Sequence, residues 1–148
     1  MTAMDGLRDQ VPDDSSETTA AYVIDPERSK DLRRSLAAIL LERRCPECRE
    51  RLGDKWAEIP EATQTKEISQ CCATKSGFIR PNMPMQEIVF RELLAAGNQP
   101  IGLDQLHFSV TDKWYTPTNP RNISASSLRK VLDNDLYYGL VDISAAEK

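Results

Sequence analysis

Apolar residues after residue 20 follow helical spacing. Four of them fall on one face of a helix: Leu32, Leu36, Ile39 and Leu40. Asp25 and Pro26 stand at the expected start of that helix, as N-cap and first helical residue. Because the residue before a proline is disfavoured in helical conformation, the helix should end at Cys45. We therefore predict one continuous helix over residues 26–44.

Residues 49–80 have a different pattern, in which short apolar groups end at prolines. Trp56 and Ile59 precede Pro60, and Phe78 and Ile79 precede Pro81. Gly53 and Gly77 are the expected turn points. Short apolar groups between turn residues are typical of strands, so we predict short strands and turns in this segment.

The pattern becomes helical again from Met83 onward. A first helix should end at Gly97, and a short extended step follows at residues 100–101. A second apolar stripe runs over residues 103–114, and Ser124 should cap a third helix. Aromatic and β-branched residues at positions 137–143 predict a final strand.

The order of these elements suggests a known kind of module. The segments that point to this module are QEIVFRELLAAGNQPIGLDQL, ISASSLRKVL and YYGLVDI. The stretch over residues 87–143 resembles winged-helix modules of the type found in the RNA polymerase delta subunit and in chromatin-associated helix-turn-helix proteins. The resemblance implies a three-helix module that works in transcription or in a nucleic-acid-associated assembly.

The cysteines are the strongest chemical signal in the chain. All four fall within 28 positions: Cys45, Cys48, Cys71 and Cys72. A C-x-x-C turn directs two thiolates at one ion, and four thiolates in a tetrahedral array suit zinc. The stretch over residues 45–78 resembles a zinc ribbon or a related zinc knuckle, which implies a structural zinc on these four residues.

The second cysteine pair departs from that pattern because Cys71 and Cys72 are adjacent. Neighbouring side chains of a strand point to opposite faces, so both sulfurs reach one ion only if the backbone bends sharply. Both cysteines could bind, or one could bind together with His107, a carboxylate, water or a second subunit. Free thiols and disulfides are the alternatives to a metal. An iron–sulfur cluster takes the same four thiolates as zinc.

Charge is distributed unevenly along the chain. The net charge is −4, and residues 1–20 alone carry that value, so the rest of the chain is neutral. Together with the lack of an apolar period, this predicts a disordered acidic tail over residues 1–20. We expect a helix plus a metal-binding knuckle over residues 21–80 and the winged-helix-like module over residues 81–148.

Basic residues indicate where an anion or a nucleic acid would bind. Residues 26–55 carry a net charge of +3, whereas residues 81–148 carry −2. An acidic module lacks the usual footprint of a groove-reading protein, so contact with a protein is at least as well supported. The candidate anion-facing residues are Arg33, Arg34, Arg43, Arg44, Arg129 and Lys130.

Several classes of protein are disfavoured by the sequence. The longest apolar run, over residues 36–41, is far short of the ~18–20 residues of a membrane helix. The first residues lack the pattern of a secretion signal, so we expect a cytoplasmic protein with reduced thiols. One histidine, no glycine-rich phosphate loop and no Ser/His/Asp motif argue against an enzyme.

These patterns together predict an α+β protein. Its N-terminal helix would pack with a small zinc-ribbon-like β hairpin, and a winged-helix-like three-helix module would follow. The predicted function is a non-catalytic, metal-binding regulatory or accessory protein with a structural zinc and a protein partner. The alternatives are an iron–sulfur redox sensor or electron carrier, and an adaptor that makes no nucleic-acid contact.

Overall fold

A computed structural model describes residues 20–146, and this part of the chain has an α+β fold, as predicted. The predicted acidic tail falls outside the described residues except for Ala20, which is buried. The described strands are β1 (Ala21–Ile24), β2 (Ile101–Gly102) and β3 (Leu140–Asp142). The α-helices are α1 (Pro26–Asp31), α2 (Leu36–Glu42), α3 (Pro46–Leu52), α4 (Glu61–Gln70), α5 (Met85–Ala95), α6 (Leu103–Phe108), α7 (Ala125–Asp133) and α8 (Ile143–Ala146).

The sheet joins the beginning of the described chain to its end. Its strand order is β2-β1-β3, and both pairings are antiparallel. Tyr22 of β1 lies opposite Ile101 of β2 and, on the other side, opposite Asp142 of β3. The central strand therefore belongs to the segment 21–80, whereas both of its partners belong to the segment 81–148.

The first helical segment is two helices, so the prediction of one continuous helix is wrong. Asp25 caps α1 as predicted, because its side chain accepts a hydrogen bond from the amide of Glu27. Arg33 then adopts a left-handed conformation with φ 58°, which a helix cannot contain. Ser35 starts α2 by accepting a hydrogen bond from the amide of Ala38. The helical spacing of the leucines continues across this break and conceals it.

The prediction of short strands in residues 49–80 is also wrong, because this segment forms helices. Proline starts helices here: Pro46 is the first residue of α3, and Pro60 is the N-cap of α4. A 3₁₀ helix over Gly53–Glu58 connects α3 to α4. The buried side chain of Gln64 stabilises that connection, because its Nε2 donates to the backbone carbonyls of Trp56 and Ile59. Within residues 49–80, all of which the structure describes, no β hairpin of the zinc-ribbon kind forms.

The C-terminal half follows its predicted order of elements closely. Helix α5 is followed by Gly97 with φ 68°, and Ser124 caps α7 by accepting from the amide of Ser127. A π-helical turn over Ser109–Lys113 extends α6. The order of helices and strands matches the expectation for this module, but β1 lies between β2 and β3. The specific winged-helix arrangement therefore stays a prediction.

The final strand is shorter than predicted because a buried carboxylate reorganises the backbone before it. Asp135 is 6% exposed. Its two oxygens accept four backbone hydrogen bonds, from the amides of Tyr137, Tyr138, Gly139 and Leu140. The backbone of residues 137–139 turns around the carboxylate and does not join the sheet, so β3 begins only at Leu140, whose amide also donates to Asp135.

One buried cluster of apolar side chains spans both halves of the described chain. Its members come from the sheet and from most of the helices, and they include Tyr22, Leu40, Ile68, Phe90, Leu106 and Leu132. The division of the chain at residue 80 stays a prediction. The shared sheet and the shared core link the stability of the two segments.

A buried ionic cluster fastens α2 to α5 at the edge of this core. Glu87 is 8% exposed and accepts from Arg43 at 2.6 Å, from Arg91 at 2.6 Å and from the hydroxyl of Tyr138 at 2.7 Å. Burial alone would raise the pKa of Glu87, but these three hydrogen bonds outweigh it and lower the pKa to about 2. The carboxylate is therefore ionised in the folded protein throughout the neutral and mildly acidic range.

The substitution Asp135→Asn tests the buried carboxylate. One of the two accepting oxygens becomes an amide nitrogen, which leaves buried amides without an acceptor. We expect the free energy of unfolding to fall by about 2–3 kcal/mol in urea titrations. Asp112→Asn, at an exposed carboxylate, should change it by less than about 0.5 kcal/mol. Equal stability of the two variants would contradict this account.

The substitution Glu87→Gln tests the ionic cluster through pH. Because the pKa of Glu87 is lower in the folded state than its ordinary value, its contribution is present above about pH 4.5 and is lost as pH falls toward 2. We expect Glu87→Gln to lower the free energy of unfolding by about 3 kcal/mol at pH 7. The difference from the original protein should shrink steadily between pH 4.5 and pH 2.5. A difference independent of pH would show that the charge of Glu87 is not involved.

Candidate metal centre

The four cysteines meet where the ends of helices converge. Cys45 is the N-cap of α3, and Cys48 lies in its first turn. Cys71 is the C-cap of α4, and Cys72 begins a 3₁₀ turn over Cys72–Thr74. All four Sγ atoms lie within 4.8 Å of one another. The structure therefore brings the four predicted ligands together in one group.

A sharp bend at Cys71 lets two adjacent residues contribute to the same group. Helix α4 ends at Gln70, and Cys71 leaves the helical conformation with φ −124° and ψ −72°. The amide of Thr74 then donates to the carbonyl of Cys71, which fixes the following turn. This is the bend that the sequence requires if both sulfurs are to reach one ion.

The distances between sulfurs fit a single tetrahedral ion. The Sγ atoms of Cys48 and Cys71 are 3.4 Å apart, and those of Cys45 and Cys71 are 3.9 Å apart. A zinc–sulfur bond is about 2.3 Å long, so two sulfurs of a tetrahedral zinc lie about 3.8 Å apart. All four cysteines are free thiols, so the chain contains no disulfide in this structure.

Two sulfurs of the group receive hydrogen bonds from nitrogen. The amide of Cys45 donates to Sγ of Cys72 at 3.1 Å, and Nη2 of Arg51 donates to Sγ of Cys48 at 3.3 Å. Such donors stabilise negative charge on sulfur and orient the ligand. Lys75, which follows the second cysteine pair, forms an ion pair with Glu47.

The thiols influence one another's ionisation. Burial disfavours the thiolate of Cys45, but a backbone hydrogen bond from Cys48 and hydrogen bonds from the other thiols outweigh it and lower the pKa to about 7. Burial raises the pKa of Cys72 to about 12. Hydrogen bonds with Cys48 and Cys45 raise the pKa of Cys71. The Cys45 thiol therefore ionises readily, whereas a nearby cation would favour the thiolates of Cys71 and Cys72.

His107 lies away from the cysteines. Its Nε2 is 2.6 Å from the carbonyl oxygen of Ile123, so the ring joins α6 to the segment before α7. Among the described residues, the group that could hold a metal contains cysteines only. Within this part of the chain, neither the histidine nor a carboxylate competes with the four sulfurs.

The six candidate anion-facing residues differ in exposure and in the groups with which they pair. Arg33 and Arg34 are exposed between α1 and α2, and Arg34 lies over the ring of Tyr137 at 5.1 Å. Lys130 is exposed on α7, whereas its neighbour Arg129 pairs with two carboxylates of the C-terminal half.

Arg43 and Arg44 are buried, and each pairs with a carboxylate of the chain. The side chain of Arg43 is 8% exposed and bonds to Glu87, and that of Arg44 is 0% exposed and bonds to Glu67 at 2.7 Å. Our sequence reasoning missed both glutamates as partners. Glu67 lies one helical turn before Cys71, so a helical interpretation of residues 61–70 would have placed it beside the cysteines.

No protein-family model, curated protein or solved structure matches this chain. Among the described residues, none of the helices has the length and apolar character needed to cross a membrane.

Proposed function

We propose that the chain is a non-catalytic zinc protein, in which one structural Zn²⁺ is held by Cys45, Cys48, Cys71 and Cys72. The observation that carries the proposal is the grouping of four sulfurs within 4.8 Å, at spacings that match one tetrahedral ion. Four sulfurs complete the coordination of zinc. A closed site of this kind leaves no position for a substrate or an activated water.

Zinc is favoured over an iron–sulfur cluster by the size of the group. A cluster of several iron atoms holds its cysteines at its outer corners, so their sulfurs stand farther apart than the sulfurs around one ion. All four sulfurs lie within 4.8 Å of one another, which leaves space for one ion between them. Tetrahedral sites of four thiolates are typical of structural zinc.

The metal would supply stability that this part of the chain otherwise lacks. Between α2 and the turn after α4, the buried apolar side chains are Cys48, Ile68 and Cys72. Two of these three are ligands, so the segment has little other apolar core. A bound ion would tie the start of α3 to the end of α4 and replace that missing core.

The regulatory or accessory role rests on the C-terminal half. The order of α5, β2, α6, α7 and β3 supports the winged-helix resemblance, which implies work in a transcription or nucleic-acid-associated assembly. Helix α7 corresponds to the groove-reading position of such modules. Its Arg129 is held by carboxylates and only Lys130 is a freely exposed cation there among the described residues, which favours a protein partner for this helix.

Metal analysis of the purified chain tests the zinc site. We expect one zinc per chain, a colourless solution, and loss of stoichiometric zinc in each of the four single Cys→Ser variants. His107→Gln is the matched control, and it should keep its zinc because His107 lies outside the cysteine group. A brown protein with iron and sulfide would establish the iron–sulfur alternative. A folded chain without metal would refute both.

A further inference from the structure

A basic cleft lies beside the cysteine group. It has a volume of about 310 Å³, and Cys45 and Cys72 form part of its wall. One carboxylate, Glu42, lines the cleft together with five cationic side chains: Arg43, Arg44, Lys75, Arg80 and Arg91. This concentration of positive charge occurs in a chain whose net charge is −4.

Some of these cations pair with carboxylates of the chain and still have N–H donors that make no hydrogen bond. Arg43 is fully engaged, because all three of its nitrogens donate to acceptors that include Glu87 and Glu42. Arg91 donates from Nε to Glu87 and from Nη1 to the carbonyl of Phe78, and its Nη2 has no acceptor among the described residues.

Arg44 has unused donors beneath the wall of the cleft. Its side chain is 0% exposed, and Nη2 donates to Glu67. Nε and Nη1 are buried and have no hydrogen-bond partner among the described residues. Unpaired donors on a buried charged group are costly and uncommon in folded proteins. Because Arg44 is one of the residues that line the cleft, these unpaired donors lie at its wall.

Arg80 is the available cation at the edge of the cleft. It is exposed and makes no side-chain hydrogen bond or ion pair among the residues that the structure describes. Its guanidinium lies over Gly77, with Nε and Nη2 each 3.6 Å from the position of a Cβ on that glycine. Gly77 has φ 87°, a conformation that favours glycine, so the turn supporting Arg80 depends on this residue.

We propose that this cleft binds a phosphate group, either as inorganic phosphate or as the phosphate of a small monoester. Arg80 and Nη2 of Arg91 supply N–H donors, and guanidinium donors match the geometry of phosphate oxygens. The buried Arg44 adds positive potential, whereas Lys75 is paired with Glu47. The volume lies at the small end of the range for ligand pockets, which fits one small anion better than a nucleic-acid strand.

Calorimetric titration of the full zinc-loaded chain tests the cleft, with inorganic phosphate and adenosine monophosphate as ligands and adenosine as the uncharged control. We expect saturable binding of both phosphates and none of adenosine. Arg80→Gln should weaken phosphate binding at least tenfold. Lys66→Gln, which removes one exposed positive charge from α4, should change it less than twofold.

The proposal is wrong if neither phosphate binds, or if Arg80→Gln binds phosphate as tightly as the original chain. Binding of a single-stranded oligonucleotide without binding of adenosine monophosphate would identify nucleic acid as the ligand instead. Loss of zinc in Arg80→Gln, with no phosphate binding by either protein, would show that the cations only offset the charge of the metal centre. Zinc content is measured on every sample, so failure of the cleft and failure of the zinc site are distinguishable.

Discussion

Four sulfurs within 4.8 Å of one another impose a strong electrostatic constraint on this chain. Thiolates at such distances repel each other, and the repulsion is large wherever water is excluded. In the proposed zinc form, a divalent cation between them would turn the repulsion into attraction and join the start of α3 to the end of α4. Between α2 and α5, the buried apolar side chains other than the cysteines are Ile68 and Phe78, so much of the structure of this segment would depend on that attraction.

Around the cysteine group, positive and negative side chains are also paired with one another. Arg51 and a backbone amide donate to two of the sulfurs, and Glu67, one turn before Cys71, holds the buried Arg44. Farther along α2 and α5, Glu87 accepts from Arg43 and Arg91. From the cysteine group to the buried core, cationic side chains are therefore paired in turn with sulfurs and with carboxylates. The basic cleft lies beside these pairs, and Arg80 is the cation of its lining that has no carboxylate partner among the described residues.

The sequence predicted those features that depend on local chemistry. The caps Asp25 and Ser124, the stop at Gly97 and the grouping of cysteines follow from the residue types alone. The break at Arg33 was missed because a left-handed arginine leaves no mark in an apolar pattern. Residues 49–80 were misinterpreted because a proline that begins a helix resembles a proline that ends a strand. The central position of β1 depends on pairing over more than a hundred residues, which no local signal reports.

X-ray absorption spectroscopy at the zinc edge is the most direct test of the central claim, because it reports the ligands of the metal itself. A single ion held by the four cysteines predicts four sulfur neighbours at about 2.3 Å and no nitrogen or oxygen neighbour. A scattering contribution from a second metal would contradict a mononuclear site. Coordination by three sulfurs and one light atom would show that one of the four cysteines does not bind.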